Sequence, residues 1–319
     1  MAKITLIDVA KRTGNDATVG IVEAMSQANP FFQLAPTKSI RGNMFKYQVR
    51  SALGTAGFRA FNAGVAGTKS LIRDVVVECK PMLGISEVDK ALAEASPDGV
   101  AAFRMSEDMG FISALANTFN AKAYYGSSST TAAEIDGVGT VLSTLGGSCI
   151  GAGGSTATAE TSMYFWSFSD ANTVQGKLPG VQVVLANGML PSATDLGIQL
   201  TLDSGGTNKY PAYQTIFEFT PGLAIYDSRS VGRLCNIDAT HLPTVALMNQ
   251  VITAMFPYNV DLITCSKTVY NYVQGLKGTS AFQQTAPYES SEIFKRATTF
   301  NGIPILIDEN IVATEAVVS

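Results

Sequence analysis

Few residues in this 319-residue chain have the types and spacing that catalysis requires, and the clearest candidate is the single histidine, His241. A nucleophilic serine or cysteine needs a base beside it, and only His241 could supply an imidazole. It lies in the stretch Asn236–Pro243, directly ahead of a predicted helix, and the chain contains no GxSxG nucleophile motif. A lone histidine at a helix start is usually structural, so we predict no catalytic triad.

A glycine-rich run, Gly146–Thr156, resembles a phosphate-binding loop only superficially. It lacks the lysine of a P-loop and has no convincing strand-to-helix context. A flexible loop is the favoured interpretation, and the alternative is a soluble enzyme that holds a phosphate ligand on residues 146–154. The stretch Asp203–Gly206 lacks the glutamate and the spacing of a calcium loop, which predicts a turn instead.

The remaining candidates are acidic and sulfur-containing side chains. Asp308 and Glu309 are adjacent, so in a strand their carboxylates point to opposite faces and form no acid–base pair. The cysteines lie 70, 86 and 30 residues apart without a CxxC pair, at Cys79, Cys149, Cys235 and Cys265. With one histidine in the chain, zinc and iron–sulfur sites are not expected. We therefore predict no metal, no cofactor and no enzymatic activity.

The composition is typical of a chain whose surface is partly covered by partners. Hydrophobic residues make up 46% and charged residues 15% of it, which is apolar for a small monomer. The net charge of −4 argues against tight binding of nucleic acid. The N-terminus interrupts its apolar run with charges, and no window is long enough to span a bilayer. We predict a cytosolic product with reduced thiols, no signal peptide and no membrane partner.

Charge is segregated between two neighbouring segments. Ser39–Lys80 has seven basic and two acidic residues, a net of +5, whereas Ser86–Asp136 has eight acidic and three basic residues, a net of −5. Between copies of one chain, such complementary patches set partner choice and register. The alternative is two solvated faces that have no partner.

The elements that carry these charges begin with an apolar arm. Residues 4–28 predict a helix that breaks near Gly14–Asn15 and stops at Asn29–Pro30, without a core of its own. Met44–Arg50 and Leu71–Cys79 alternate as strands do, and glycines punctuate the stretch between them. The whole is predicted to be an extended two-stranded loop, which needs a neighbour because an isolated ribbon is marginal in water.

A long helix follows the ribbon. Ser96 is a candidate N-cap with Pro97 at the first helical position, and Gly126 ends the helix after roughly 43 Å. Glu107 and Asp108 fall off its apolar stripe. The stripe is predicted to be buried core and comprises Met105, Met109, Ile112, Ala116, Phe119 and Ala123.

The rest of the chain predicts an α+β fold without an internal repeat. Gly126–Glu160 is rich in small residues and predicts loops or sheet edges. Two helices are predicted, at Leu242–Phe256 and Ser266–Gly275. The predicted strands are Met163–Phe168, Val181–Ala186, Ile198–Leu202, Ile216–Phe219, Val260–Thr264 and Ile303–Asp308.

Taken in order, these parts resemble the major capsid protein of tailed bacteriophages, most closely that of short-tailed phages. The resemblance covers nearly the whole chain and depends on several short stretches. They are Leu6–Ala10, Ile40–Asn43, Ala133–Gly137, Phe165–Phe168, Asp195–Gly197, Gly222–Asp227, Arg233–Asp238 and Phe300–Ile305. The resemblance implies the Hong Kong 97-type capsid fold and a protein that self-assembles into an icosahedral shell around double-stranded DNA.

The same resemblance implies a division of the chain. It places an N-terminal arm at residues 1–38, the extension loop at 39–80 and a peripheral domain with the spine helix at 81–126. An axial domain would follow at 127–300, and residues 301–319 would return to the peripheral domain as a strand. The extension loop would lie over an adjacent subunit, close to that subunit's spine helix.

The opposite charges then predict contacts between subunits. We expect one or more of the loop cations Arg50, Arg59, Lys69 and Arg73 to pair with Glu107 or Asp108 of a neighbour. Some relatives join subunits by a lysine–asparagine bond, for which Lys69 and Asn310 are conceivable partners. No local motif singles them out, so noncovalent assembly is expected.

The resemblance also implies partners and a location. Copies of the chain would form hexamers and pentamers, and a separate scaffolding protein is expected because the arm begins almost at Met1. A portal protein and double-stranded DNA on the inner face, bound without sequence specificity, would complete the particle. The chain would belong to the virion capsid and assemble in the host bacterial cytoplasm. The alternative with the same fold is an encapsulin-like nanocompartment that encloses an enzyme.

Overall fold

A computed structural model of the chain describes residues 5–13, 16–29, 31–173, 176–276, 282–284 and 298–319. The helices are α1 (Leu6–Thr13), α2 (Asp16–Ala28), α3 (Phe31–Leu34), α4 (Lys90–Ala95), α5 (Val100–Tyr125), α6 (Val138–Val141), α7 (Val245–Ala254) and α8 (Lys267–Gly275). The strands of the first two thirds are β1 (Thr37–Ile40), β2 (Met44–Ala52), β3 (Leu71–Glu78), β4 (Met82–Asp89), β5 (Cys149–Gly151), β6 (Thr161–Trp166), β7 (Ala171–Thr173), β8 (Gly176–Leu178), β9 (Gln182–Ala186), β10 (Ser192–Leu202) and β11 (Lys209–Phe219). The later strands are β12 (Pro221–Ala224), β13 (Val231–Ile237), β14 (Leu262–Cys265), β15 (Phe282–Gln284), β16 (Thr298–Phe300) and β17 (Ile303–Ile307). This mixture confirms the predicted α+β class.

The N-terminal arm lies on the body of its own subunit. Two helices, α1 and α2, are described in it, and the predicted break near Gly14–Asn15 lies outside the described residues. Leu6, Phe31 and Phe32 are fully buried, and the Phe31 ring lies 5.0 Å from that of Trp166 in β6. The arm therefore has no separate core, because its apolar side chains complete the main core beside α5.

The predicted ribbon is confirmed. Strands β2 and β3 pair antiparallel from Met44 opposite Glu78 to Ala52 opposite Leu71. Residues 53–70 between them form neither helix nor strand. The ribbon consequently consists of a paired root and an irregular tip.

The long helix begins later than the sequence predicted. Residues 90–95 form the short helix α4, for which Ser96 is the C-cap, and α5 starts only after Gly99, whose φ of +85° favours glycine. The predicted end at Gly126 is confirmed. A Cβ at Gly126 would lie 2.3 Å from the carbonyl oxygen of Ile135, so only glycine fits there.

The apolar stripe of α5 is buried only over its C-terminal half. Ile112, Ala116, Phe119 and Ala123 lie in the core, whereas the side chains of Met105 and Met109 are 67% and 43% exposed. The prediction of a wholly buried stripe is wrong, because the first turns of α5 lie along an open groove.

A three-stranded antiparallel sheet packs against α5 in the order β10-β11-β4. The two short strands predicted at residues 198–202 and 216–219 are the ends of the long strands β10 and β11. The turn predicted at Asp203–Gly206 joins them, and Asp203 Oδ1 accepts a hydrogen bond from the Thr207 amide at 3.1 Å. Because β4 precedes α5 and the hairpin comes a hundred residues later, this pairing is non-local.

A seven-stranded sheet in the order β15-β16-β17-β14-β6-β13-β5 forms the other half of the body. Its inner strands β14 and β6 are buried throughout, and α7 and α8 pack on the sheet. The glycine-rich run that predicted a flexible loop contributes β5, which pairs with β13 at the sheet edge. Among the described helices, none is both long and apolar enough to cross a membrane.

Candidate functional site

The sequence candidates for catalysis serve the local structure. His241 lies exposed on a loop, with Nδ1 3.0 Å from Asp238 Oδ1. The same carboxylate accepts hydrogen bonds from the Thr240 hydroxyl and the His241 amide, which lower the pKa of Asp238 well below its usual range. The Thr240 hydroxyl also lies 3.0 Å from His241 Nδ1, and together these contacts close a turn before α7.

The carboxylates at the end of β17 separate as predicted. Asp308 is buried and accepts a hydrogen bond from the Tyr124 hydroxyl at 2.8 Å and another from the Asn120 amide, whereas Glu309 is exposed. Within the described residues, no group of three or more histidine, cysteine or acidic side chains could hold a metal ion. The exposed aromatic and charged side chains that follow lie elsewhere, on the ribbon and beside α5.

The root of the ribbon is fixed to its own subunit by aromatic side chains. The Tyr47 hydroxyl donates to the Ile225 carbonyl at 2.7 Å, and its ring lies 4.8 Å from that of Tyr226. The Lys38 ammonium lies 3.9 Å from the centre of the Phe45 ring. Burial raises the pKa of Tyr226 to about 12. This packing holds the base of the ribbon at one angle to the body.

The tip of the ribbon, residues 53–70, is exposed along its whole length. Three hydrogen bonds between Thr55 and Thr68 hold its two legs together. Phe58 and Phe61 are 109% and 102% exposed, so neither ring contacts the body of the subunit. Water-exposed aromatic rings on an extended segment are typical of a contact that another molecule covers.

The predicted cations lie along this ribbon, and all are exposed: Arg50, Arg59, Lys69 and Arg73. Arg59 donates to the Ala63 carbonyl at 3.2 Å within the tip. In the part of the chain that the structure describes, Arg59, Lys69 and Arg73 form no ion pair. No ion pair within the described residues therefore neutralises these three charges.

A groove lies beside the first turns of α5, in the segment of the chain that carries the net negative charge. It has a volume of about 520 Å³. We call it the helix groove; its apolar lining comprises Ile21, Met105, Met109, Ile112 and Phe217, and its polar lining comprises Arg104, Asp108, Asp195 and Thr215. Methionine side chains adapt their shape readily, which suits a surface that receives a partner.

The two acidic side chains that line the helix groove differ in their hydrogen-bond partners. Arg104 lies 2.7 Å from Asp195, and this hydrogen bond lowers the pKa of Asp195. Asp108 is half-buried, and its Oδ1 atom has no hydrogen-bond partner among the described residues. Glu107, the other predicted acid, is exposed on the neighbouring face of α5. The groove therefore offers apolar surface beside the Asp108 carboxylate, whose Oδ1 atom is buried and whose Oδ2 atom accepts a hydrogen bond from the Thr215 hydroxyl at 3.5 Å.

Sequence reasoning missed Phe58, Phe61, Arg104 and Asp195. The two phenylalanines gave a usable signal, because aromatic residues inside a glycine-rich, basic segment have no core to enter. The pair formed by Arg104 and Asp195 gave none, since it joins α5 to a strand that is distant in sequence.

A buried ionic network, also missed, fixes the C-terminal tail. Arg233 in β13 donates to Glu315 at 2.8 Å, and their side chains are 7% and 4% exposed. Glu315 also accepts from the Tyr125 hydroxyl at 2.6 Å and from the Ser162 hydroxyl. A lone charged residue in the mostly apolar strand Val231–Ile237 was the sequence signal for a buried partner of Arg233.

Comparisons with known proteins agree with the fold. The profile of the family described as major capsid protein GP7 matches residues 13–319. The capsid structure of bacteriophage epsilon15 is 25% identical, covers 88% of this chain and 87% of that chain, and superposes with a TM-score of 0.63. The bacteriophage JBD30 capsid decorated with minor capsid protein trimers is 11% identical, covers 90% and 93%, and has a TM-score of 0.48. No curated protein matches the sequence.

Proposed function

The chain belongs to the family of the major capsid protein GP7 and forms the shell of a bacteriophage, and we propose that its ribbon joins neighbouring copies in that shell. The predicted family, the predicted Hong Kong 97-type fold and the predicted shell-forming role are confirmed. The finer proposal is an icosahedral shell of hexamers and pentamers around the double-stranded DNA of a tailed phage. In it the chain acts as a structural component and catalyses no reaction.

The observation that carries the ribbon proposal is the bare tip. Phe58 and Phe61 are each more than 100% exposed relative to their reference values. Burying one such side chain contributes roughly 1.5–3 kcal/mol. Because the root packs on its own body while the tip does not, we assign the cover to a second copy.

The helix groove of a second copy is the proposed receptor. It combines an apolar lining of matching character with the Asp108 carboxylate, and Glu107 lies on the neighbouring face of α5, whereas the tip combines two phenylalanines with Arg59. We assign the remaining predicted cations Arg50, Lys69 and Arg73 to the same contact as charges at its rim. Rim charges act mainly on encounter and register, so the aromatic side chains supply most of the affinity.

The predicted division of the chain is proposed in a modified form. The ribbon is the extension loop, and α5 with the sheet β10-β11-β4 is the peripheral domain. The hairpin of residues 192–219 lies inside the segment 127–300 but pairs with β4, which supports its assignment to the peripheral side. Strand β17 pairs with β14, which supports placing residues 301–307 with the axial domain, while the tail beyond contacts α5.

The remaining partners are proposed from the family. A separate scaffolding protein and a portal would direct assembly in the host bacterial cytoplasm, and the finished shell would be part of the virion. The net charge of −4 suits an inner wall that encloses DNA without gripping it.

Assembly assays test this proposal. The wild-type chain is expressed with the scaffolding protein and compared with a variant whose residues 56–67 are replaced by a short glycine–serine linker. Wild type is expected to yield closed shells by negative-stain electron microscopy, and the variant only capsomers or subunits with unchanged circular dichroism. Normal shells from the variant would refute the role of the tip. Nucleic acid in native particles would support the phage shell, and enzyme cargo would contradict it.

A further inference from the structure

Two cysteines that the assembly proposal does not use lie in contact inside the subunit. The Sγ atoms of Cys149 in β5 and Cys235 in β13 are 3.8 Å apart, although the residues are 86 positions apart in the chain. Both side chains are almost fully buried, at 1% and 0% exposure. Cys79 and Cys265 are also buried but have no thiol neighbour among the described residues. The chain thus holds one thiol pair and two isolated thiols in similar surroundings.

The geometry of this pair is close to that of a disulfide. A disulfide bond is about 2.05 Å long, so the two sulfur atoms need to approach by about 1.8 Å in total. Strands β5 and β13 are hydrogen-bonded neighbours with Arg233 opposite Cys149 and Cys235 opposite Gly151, so the two cysteines lie diagonally across the pair. Diagonal neighbours lie about 7–8 Å apart and a disulfide spans less than about 7 Å between Cα atoms, so closing the bond requires the short edge strand β5 to shift toward Cys235.

The two thiols differ in their readiness to react. The hydrogen bond from Cys235, together with the nearby Arg233 guanidinium, lowers the pKa of Cys149, while the same hydrogen bond and burial raise the pKa of Cys235. Burial raises the pKa of Cys79 to about 11 and that of Cys265 further. Cys149 also lines an open depression of about 620 Å³ between β5 and α7, which gives a small oxidant a way in. Cys149 is therefore the thiolate that reacts first.

We propose that Cys149 and Cys235 form a disulfide when the protein passes from a reducing to an oxidising medium. The two thiols lose two electrons and two protons, one sulfur–sulfur bond forms, and dioxygen accepts both electrons and both protons as hydrogen peroxide. The cytoplasm keeps the thiols reduced during folding, and the exterior permits oxidation. This inference goes beyond the assembly proposal and holds for the subunit whether or not the ribbon docks as proposed.

The bond would reinforce the anchor of the C-terminal tail. Asn236, next to Cys235, holds Val318 through two hydrogen bonds of 2.8 and 2.9 Å. Arg233, two residues before Cys235, holds Glu315. Fixing β5 to β13 removes chain entropy from the unfolded state over a long loop and so stabilises this region.

The test uses diamide, which oxidises two thiols to a disulfide and is itself reduced to its hydrazine. The Cys149 thiolate adds to the nitrogen–nitrogen double bond, then the Cys235 sulfur attacks Cys149 Sγ and the sulfur–nitrogen bond breaks, with the proton passing to nitrogen. The folded wild-type chain is treated with diamide and then unfolded in the presence of N-ethylmaleimide, which alkylates the remaining free thiols. The protein is digested and analysed by mass spectrometry. The expected product is a Cys149–Cys235 peptide pair, with Cys79 and Cys265 alkylated.

Stability provides the second readout. Oxidation is expected to raise the Tm by about 5 °C or more, and dithiothreitol should reverse the shift. The double variant Cys79→Ser/Cys265→Ser should keep the peptide pair and the shift, and Cys149→Ser should lose both. If Cys149→Ser fails to fold, the peptide map of the wild type decides. Free thiols at Cys149 and Cys235 in the treated, folded protein, or a disulfide that uses Cys79 or Cys265 instead, would overturn the proposal.

Discussion

The ribbon tip and the C-terminal tail are both extended segments without regular structure, yet they differ in whether their side chains are buried in their own subunit. The tail buries Glu315 and Val318 and ties them to Arg233 and Asn236 of its own subunit. The tip, residues 53–70, leaves its aromatic and basic side chains in water. The tail therefore stabilises one subunit, whereas the tip offers its side chains to a second copy.

This comparison separates stability from assembly, and each can be broken alone. A substitution in the tail should unfold or loosen the subunit before it affects the shell. A substitution in the tip should leave the subunit intact and reduce the shell yield.

The largest effect is expected in the tail. Glu315→Gln leaves the Arg233 guanidinium buried without a counter-charge, which should reduce the free energy of unfolding by about 3–5 kcal/mol. Chemical denaturation of the purified subunit measures it. The control is Glu309→Gln, an exposed acid on the same tail, for which a change within about 0.5 kcal/mol is expected. Equal stability of the two variants would show that the network does not hold the tail.

The next largest effect is expected at the tip. Phe58→Ser/Phe61→Ser should lower the shell yield about tenfold or more, since hydrophobic anchors dominate such contacts, while the Tm of the subunit stays unchanged. Sedimentation of assembly reactions gives the yield. Phe256→Ser is the matched control, because this ring is 76% exposed but lies outside the ribbon. If both variants lose shells equally, general loss of apolar surface explains the result and the tip has no special role.

Charge reversal at the rim should act more weakly. Arg59→Glu/Arg73→Glu is expected to lower the shell yield severalfold without unfolding the subunit, and wild-type assembly should weaken as salt is added. Lys267→Glu, a reversal at the exposed start of α8, provides the control. Unchanged shell yield in the ribbon variant would refute the predicted pairing with Glu107 or Asp108.

The smallest effect is expected at the ribbon root. Tyr47→Phe removes the hydrogen bond to the Ile225 carbonyl and keeps the ring, which should cost about 1 kcal/mol of stability. Thermal unfolding measures the loss, and Tyr213→Phe, in β11 of the three-stranded sheet, is the control. A loss of shell yield with unchanged stability would show that the root takes part in assembly. The assembly role would then not be confined to the ribbon tip.

The sequence predicted local features of the fold well. Alternation located β2 and β3, and the glycine at position 126 located the end of α5, because each signal depends on neighbouring residues. The start of α5 was predicted wrongly, since Ser96 and Pro97 imitate a helix start while the Gly99 backbone determines the real one. The pairing of β10 and β11 with β4 gave no sequence signal, because antiparallel strands far apart in the chain share no local pattern.

The candidate site was predicted by charge and not by shape. Segregated charges indicated the ribbon and α5, but a helical repeat alone could not show that Met105 and Met109 stay exposed. That exposure depends on where α2 and β10 end their cover of the helix. The predicted ion pairs between copies stay predictions.

Site-specific cross-linking between copies tests the central claim most directly. Chains with Phe58→Cys and chains with Met105→Cys are assembled together into shells and treated with a short bismaleimide. The account predicts covalent dimers in mixed shells and none in shells built from either variant alone. Intact mixed shells without covalent dimers would contradict the docking of the ribbon tip in the helix groove of a second copy.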